Sequence, residues 1–309
     1  MKPTILISTL AAMLASSAFA AEWPMGNDPG FSTKVKNPTY DKSTGPFMLV
    51  DAAHNNFHVT EGFIDPFVDL AENDGYQVVI GTSELTSDFL RSFQIVMIIT
   101  ALPFEFTTKN EVTTETTFTA DEINALHDWV TAGGSLLVFS EHAPFDQAIN
   151  PLLNKFGITS SVGTIADPEN HDKELGRDGW VIFSRENGLL NTSHPLANGR
   201  NEDEIINNVV AFGGSSLSGD DYQNIFQLSD NAENRQHATG VGPVGMGNSM
   251  ALAGTLGEGK VLAFGDSNGF TAMNFDNEDG SEMSLGMNTA HLDWKQMVLN
   301  SLHWLSGDL

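Results

Sequence analysis

Four short apolar runs, Phe47–Val50, Tyr76–Ile80, Ile95–Ile99 and Ser135–Phe139, constrain this chain more than any other feature. A strand with one face in water alternates polar and apolar residues. These runs are close to continuously apolar, as strands buried on both faces are, and such strands belong to parallel sheets covered by helices. The segments between them carry helical spacing. The chain is therefore expected to be α/β, with a doubly wound, mainly parallel, flavodoxin-like sheet.

The helix signals are local and physical. Asp65-Pro66 opens a helix through Ala71, because proline suits the first turn, and Gly75 closes it. Leu85–Phe93 reads as a short helix. Thr119-Ala-Asp-Glu122 is a capping box, followed by Ile123, Leu126, Trp129 and Val130 and ended by Gly133-Gly134. Gln147–Phe156 is helical with Pro151 inside it. Beyond Gly157 the pattern loosens. Trp180–Phe183, Ile205–Phe212, Ile225–Leu228, Ser249–Ala253 and Lys260–Phe264 are closely spaced strand runs, which predicts irregular or antiparallel additions before the chain rejoins the sheet. A last helix over Thr289–Leu305 places Leu292, Leu299, Leu302 and Leu305 on one face. The expected organisation is a leader at 21–45 and one domain at 46–309, with an insertion at about 157–258.

Residues 1–20 read as a signal peptide. Lys2 precedes an apolar stretch from Ile5 to Leu14, and Ala18-Phe-Ala20 supplies a small-x-small cleavage pattern, so the cut is expected after Ala20. A spanning helix needs about 20 apolar residues, and this stretch is shorter. The expected location is periplasmic or secreted, with no membrane span in the mature chain. The charge balance is lopsided, with Lys+Arg 14 against Asp+Glu 40 and a net charge of −26. Such a surface repels nucleic acid and anionic lipid. There is no cysteine, hence no disulfide, thiol nucleophile or thiolate ligand. No feature fixes an oligomeric state.

In open parallel sheets the ligand crevice lies beyond the carboxyl ends of the strands. Three segments sit there. After the first strand comes Asp51-Ala-Ala-His54-Asn55-Asn56-Phe-His58, one acid, two imidazoles and two amides in one turn. Asp51, His54 and His58 are candidate ligands for a divalent metal, and Asn55 and Asn56 for a polar ligand; the competing reading is a set of helix caps. After the fourth strand come Glu141 and His142, candidate acid–base groups at a strand-to-helix turn, or a carboxylate that merely caps backbone amides. After Lys260–Phe264 comes Gly265-Asp266-Ser267-Asn268, with Asp266 a candidate catalytic or orienting carboxylate and Ser267 and Asn268 candidate ligand contacts, or else an ordinary Asx turn. Thr107–Thr117 and Ala272–Asn288 read as long polar loops that could act as lids. No Walker motif is present. Gly240–Gly245 lacks the strand-to-helix setting of a dinucleotide loop, so no nucleotide cofactor is expected.

The run Glu122–His142, with His54-Asn-Asn-Phe-His58, Glu141-His-Ala-Pro-Phe145 and Gly259-Lys-Val-Leu-Ala-Phe-Gly-Asp266, resembles the class I glutamine amidotransferase-like superfamily. Within it the chain is most similar to an exported bacterial branch related to trehalose-utilisation-like and GIFT-type domains, over Pro46–Leu305. The resemblance implies a flavodoxin-like core. It also implies a catalytic Cys after the central strand, where this chain carries Glu141-His142, and a His where it carries Asp266-Ser267. Without cysteine, thiolate glutaminase chemistry is excluded. Three readings remain, the least specific being a structural or assembly partner in the envelope whose polar clusters merely stabilise turns. A second is a hydrolase, metal-assisted or using Glu141 and His142, on a carbohydrate-like substrate. The third is a non-catalytic protein of the cell envelope that binds a glycan or small ligand.

Overall fold

A computed structural model describes residues 24–107, 116–238, 240–276 and 282–309. The expected signal peptide and most of the Thr107–Thr117 loop lie outside the described residues.

The first half runs β1 (Met25–Asn27), β2 (Phe47–Asp51), α1 (Phe57–Thr60), α2 (Asp65–Asn73), β3 (Gln77–Gly81) and α3 (Ser87–Leu90). It continues with β4 (Ile95–Ile98), α4 (Ala120–Thr131), β5 (Ser135–Phe139) and α5 (Phe145–Lys155). Then come β6 (Thr159–Ser160), β7 (Thr164–Ala166), β8 (Val181–Ser184), β9 (Asn208–Ala211), β10 (Leu217–Ser218), β11 (Gln223–Gln227) and β12 (Glu233–Arg235). The chain closes with β13 (Ser249–Leu256), β14 (Gly259–Phe264), β15 (Ala272–Asp276), β16 (Glu282–Gly286) and α6 (Trp294–Ser306).

The result is mixed α/β around a large mixed sheet. Its order is β3-β2-β4-β5-β14-β13-β10-β6, with β11 also paired to β13. The strands from β3 to β14 are parallel, and β13, β10, β6 and β11 add antiparallel edges. Strand alternation explains the unbroken apolar runs. Met48, Val50, Leu137, Phe139, Leu262 and Phe264 pack on one side with Phe67 and Leu70 of α2 and Leu302 of α6. Leu49, Val96, Leu136, Val138, Val261 and Ala263 pack on the other with Leu126 and Val130 of α4 and Leu152 of α5. Both faces are covered, so neither can carry polar residues cheaply.

The capping box forms as the sequence requires: the Glu122 amide donates to Thr119 Oγ1 and the Thr119 amide to Glu122. Two expectations change. Leu85–Phe93 holds only the single turn α3. The Ala272–Asn288 stretch is not an open polar loop over its described residues but the hairpin β15–β16, and β1 of the leader joins it as a third strand. Its inner residues Ala272, Met273 and Leu285 are buried, which the neighbouring acidic residues obscured in the sequence. Segment 157–258 supplies β8–β9, whose Phe183, Val209 and Val210 join the core beside α6, where the Trp294 indole donates to the Val210 carbonyl (2.8 Å). Among the described residues, no helix is long and apolar enough to cross a membrane.

Candidate functional site

The turn after β2 is a closed polar network. His54 Nδ1 lies 3.0 and 2.8 Å from the two oxygens of Asp51, and His54 Nε2 lies 3.1 Å from Glu122 Oε1. Asn56 Nδ2 donates to Asp51 (3.1 Å) and to the Ile99 carbonyl (3.0 Å). Glu122 also accepts from the Leu85 amide, so one carboxylate caps α4, holds the β3–α3 connection and meets His54. Burial works to lower the His54 pKa, but Asp51 and Glu122 outweigh it and the net change is a rise. For Glu122 burial works upward, and the Thr119, Leu85 and His54 contacts bring the net below the usual range. Both changes favour a buried ion pair locking two turns together.

The expected metal set does not assemble here. Both nitrogens of His54 face carboxylates, Asn56 holds Asp51, and His58 belongs to a different cluster. Among the described residues no group of three or more His, Cys, Asp or Glu is arranged to hold a metal ion. Asn55 is exposed, donates to the Leu102 carbonyl, and lines a separate cleft of about 150 Å³.

The turns after β5 and β14 do meet. Glu141 is 2% exposed and adopts φ +60, a left-handed conformation uncommon outside glycine. Its Oε2 accepts from the Ser267 amide (2.8 Å) and the Ser267 hydroxyl, and its Oε1 from the His142 amide (3.2 Å). Ser267 Oγ, whose hydrogen goes to Glu141, lies 3.4 Å from His58 Nδ1 and accepts from it. His142 Nε2 is 3.8 Å from Glu141 Oε1, and its Nδ1 donates to the Ala143 carbonyl (2.8 Å). Asp266 accepts from the Phe212 amide (2.8 Å) and from Asn268 Nδ2 (2.8 Å).

The two carboxylates are driven apart. Burial would raise Glu141, but the His142 charge and the Ser267 donors outweigh it, so it stays ionised. Burial, reinforced by the neighbouring Glu141 charge, pushes Asp266 well above the carboxylate range. Burial lowers His58 to about 4, leaving a neutral imidazole. Asp146, in the first turn of α5, is pushed up to about 7 by burial, although the Gly163 and Gln147 amides donate to it.

Above this cluster opens a cavity of about 1080 Å³, near the upper end for small-molecule sites. His142 and Asn268 reach its wall from the two turns. The rest of the polar wall is His171, Arg177, Asp178, His237 and Thr164, and the apolar wall includes Trp180, Phe212, Phe275, Met283 and Leu285. His142 and His237 stack at 4.2 Å between ring centres, 13° from parallel. Of the residues expected to form a site, Glu141, His142, Asp266, Ser267, Asn268 and His58 come together, while Asp51, His54, Asn55 and Asn56 do not join them. The sequence missed Asp146 and the wall from segment 157–258. Only the apolar strand at Trp180–Phe183 hinted at that wall, since its placement is set by tertiary packing.

No family model matches this chain, and no curated protein matches it. Among solved structures, the chain is similar to the N-terminal domain of mmIFT52, with 16% identity, a TM-score of 0.56, and cover of 84% of this chain and 97% of that one. This likeness shows a shared fold. A ThuA-like protein from Bacteroides uniformis overlaps at 10% identity and TM-score 0.41, covering 90% of this chain and 95% of that one. A ThuA-like protein from Parabacteroides merdae overlaps at 13% and 0.43, covering 85% and 90%.

Proposed function

We propose that this chain is an exported small-ligand-binding protein, periplasmic or secreted, built on an amidotransferase-like core with flavodoxin-like winding. Its ligand occupies the cavity over the β5 and β14 turns and presents hydroxyls and an apolar ring face, as a carbohydrate does. The observation that carries this reading is the state of Glu141. Its carboxylate is buried and already accepts three hydrogen bonds, so it shapes the cavity floor instead of facing a substrate. What does reach the cavity, His142 and Asn268 among aromatic and thioether side chains, suits binding.

A second reading, hydrolysis, is favoured by one specific observation. Glu141 and Asp266 have opposite pKa changes at a turn where Glu141 is held at positive φ, and paired carboxylates set apart in this way are a common acid–base arrangement. One experiment separates the two. The intact mature chain is melted with glucose, galactose, cellobiose and maltose, and assayed with the matching p-nitrophenyl glycosides. Stabilisation by a sugar, with no turnover, is the expected result. Turnover that disappears in both Glu141→Gln and His142→Asn would replace binding by catalysis.

A further inference from the structure

A second hollow lies away from the main cavity. β14 leads at its carboxyl end into Asp266, under the main cavity. At its other end Lys260 Nζ donates to the Trp304 carbonyl, and beside Trp304 opens a pocket of about 350 Å³, within the size range of small-molecule sites. Its wall includes Ser193, His194, Asp221, Gln223, Thr255 and Trp304, and it shares no lining residue with the main cavity.

The polar side of this pocket is held in place before any ligand arrives. Asn191 pins its loop to β11, its amide donating to the Ile225 carbonyl (2.9 Å) and its Nδ2 to the Asn224 carbonyl (3.0 Å). Asn191 Oδ1 accepts from the Ser193 amide (3.1 Å) and hydroxyl (2.6 Å), so the Ser193 hydrogen is spent and its oxygen is left to accept. His194 is 4% exposed, and its ring packs on the Trp304 ring at 5.4 Å between centres. Its Nδ1 accepts from the Leu196 amide at 3.3 Å, which fixes the tautomer with the hydrogen on Nε2. Burial, with the Lys260 charge nearby, lowers this imidazole to about 4, so it is neutral at pH 7. Among the described residues nothing accepts from Nε2–H, and a buried donor without a partner calls for a ligand or water to complete it.

The charges around the pocket select the class of ligand. Asp221 puts a carboxylate in the wall, and Lys260 Nζ lies 5.2 Å from the centre of the Trp304 ring. An anion meets the Asp221 charge, and a cation meets Lys260 and the His194 N–H. A hydroxyl suits both sides, because it gives its hydrogen to Asp221 or Ser193 and accepts from His194, while Gln223 and Thr255 can do either. We propose that this pocket is a second binding site, for an uncharged polyhydroxyl compound of monosaccharide size, with Asp221 and Ser193 as acceptors and His194 Nε2–H as donor. It uses none of the residues of the main cavity, so either site can fail without the other.

The test is an NMR titration of the intact mature chain that follows the His194 ring and the Trp304 indole N–H, with the Trp180 indole N–H reporting on the main cavity. The neutral probes are glucose, xylose and myo-inositol, and the charged ones glucuronate and glucosamine. At least one neutral probe is expected to shift the His194 and Trp304 signals saturably, and to bind there tenfold or more tightly than either charged probe. Asp221→Ala should remove at least tenfold of that affinity, and Asp221→Asn should keep part of it. Asp221 is exposed, so both variants should melt as the parent does. If no neutral probe moves His194 and Trp304, or the shifts are confined to Trp180, the second site is overturned and the main cavity is untouched. A charged probe that binds there as tightly as the neutral ones, or an Asp221→Ala variant of unchanged affinity, overturns the assignment of ligand and acceptor.

Discussion

At the scale of residues, the cluster under the cavity joins groups whose titrations oppose one another. Asp146 has an unfolded value near 3.8 and a folded value near 7, so between them the folded chain holds a proton that the unfolded chain has lost. Its contribution to stability therefore falls as pH rises through that window, by up to about 1.4 kcal/mol per pH unit. His58 runs the other way. Its ordinary value is 6.5 and its folded value about 4, so the unfolded chain takes the proton first and stability falls as pH drops through that window. Urea denaturation at pH 4, 5.5 and 7 should show Asp146→Asn gaining on the parent as pH rises. His58→Gln should gain on the parent as pH falls. Parallel profiles for parent and variants would show that neither group is perturbed. Sequence position identified His58, Glu141 and Asp266, because each follows a strand whose carboxyl end had to face the crevice. It could not identify Asp146, whose only unusual property is burial against Gly163, seventeen residues on.

At the scale of elements, the N-terminus of α4 holds more than its own helix. Thr119→Ala removes one cap acceptor and should cost about 1 kcal/mol, the usual value for such a cap. Glu122→Ala should cost more, about 3 kcal/mol, because it leaves His54 Nε2, the Leu85 amide and the Thr119 amide without their shared carboxylate at once, while His54 Nδ1 keeps Asp51. Denaturant midpoints of the two variants check the order, and equal losses would mean that the His54 network adds nothing beyond capping. The box itself was legible because capping is written in four consecutive residues. So were β2, β4 and β5, whose runs are apolar on both faces. The edge pieces were not. β6 and β10 span two residues each, too short for any period, and β15 and β16 hide a buried face among Asn274, Asp276 and Glu282. Met25–Asn27 becomes a strand only because Ala272–Asp276 lies beside it.

At the scale of the molecule, the excess of acidic over basic residues works against the fold. With 40 acids and 14 Lys and Arg, the folded chain confines its negative charge to one surface, while the unfolded chain spreads it out. Salt screens that repulsion: the Debye length falls from about 30 Å at 0.01 M to about 3 Å at 1 M. Salt also weakens ion pairs, but among the described residues lysine and arginine pairs are few, and those such as Lys36–Asp203 and Arg91–Asp88 are exposed and contribute little. The buried pairs of His54 with Asp51 and Glu122 are sheltered from screening. Repulsion therefore dominates the response, and the melting temperature should rise with sodium chloride between 0.01 and 1 M. A relief of 1 kcal/mol corresponds to about 2–4 °C in a domain of this class, so a rise of at least that size is expected. Choline chloride at the same ionic strength should give a comparable rise, because screening depends on charge and not on the cation's chemistry. A flat or falling melting temperature would mean that local pairs outweigh the net charge. A rise with sodium alone would point to cation binding at the acidic surface in place of general screening.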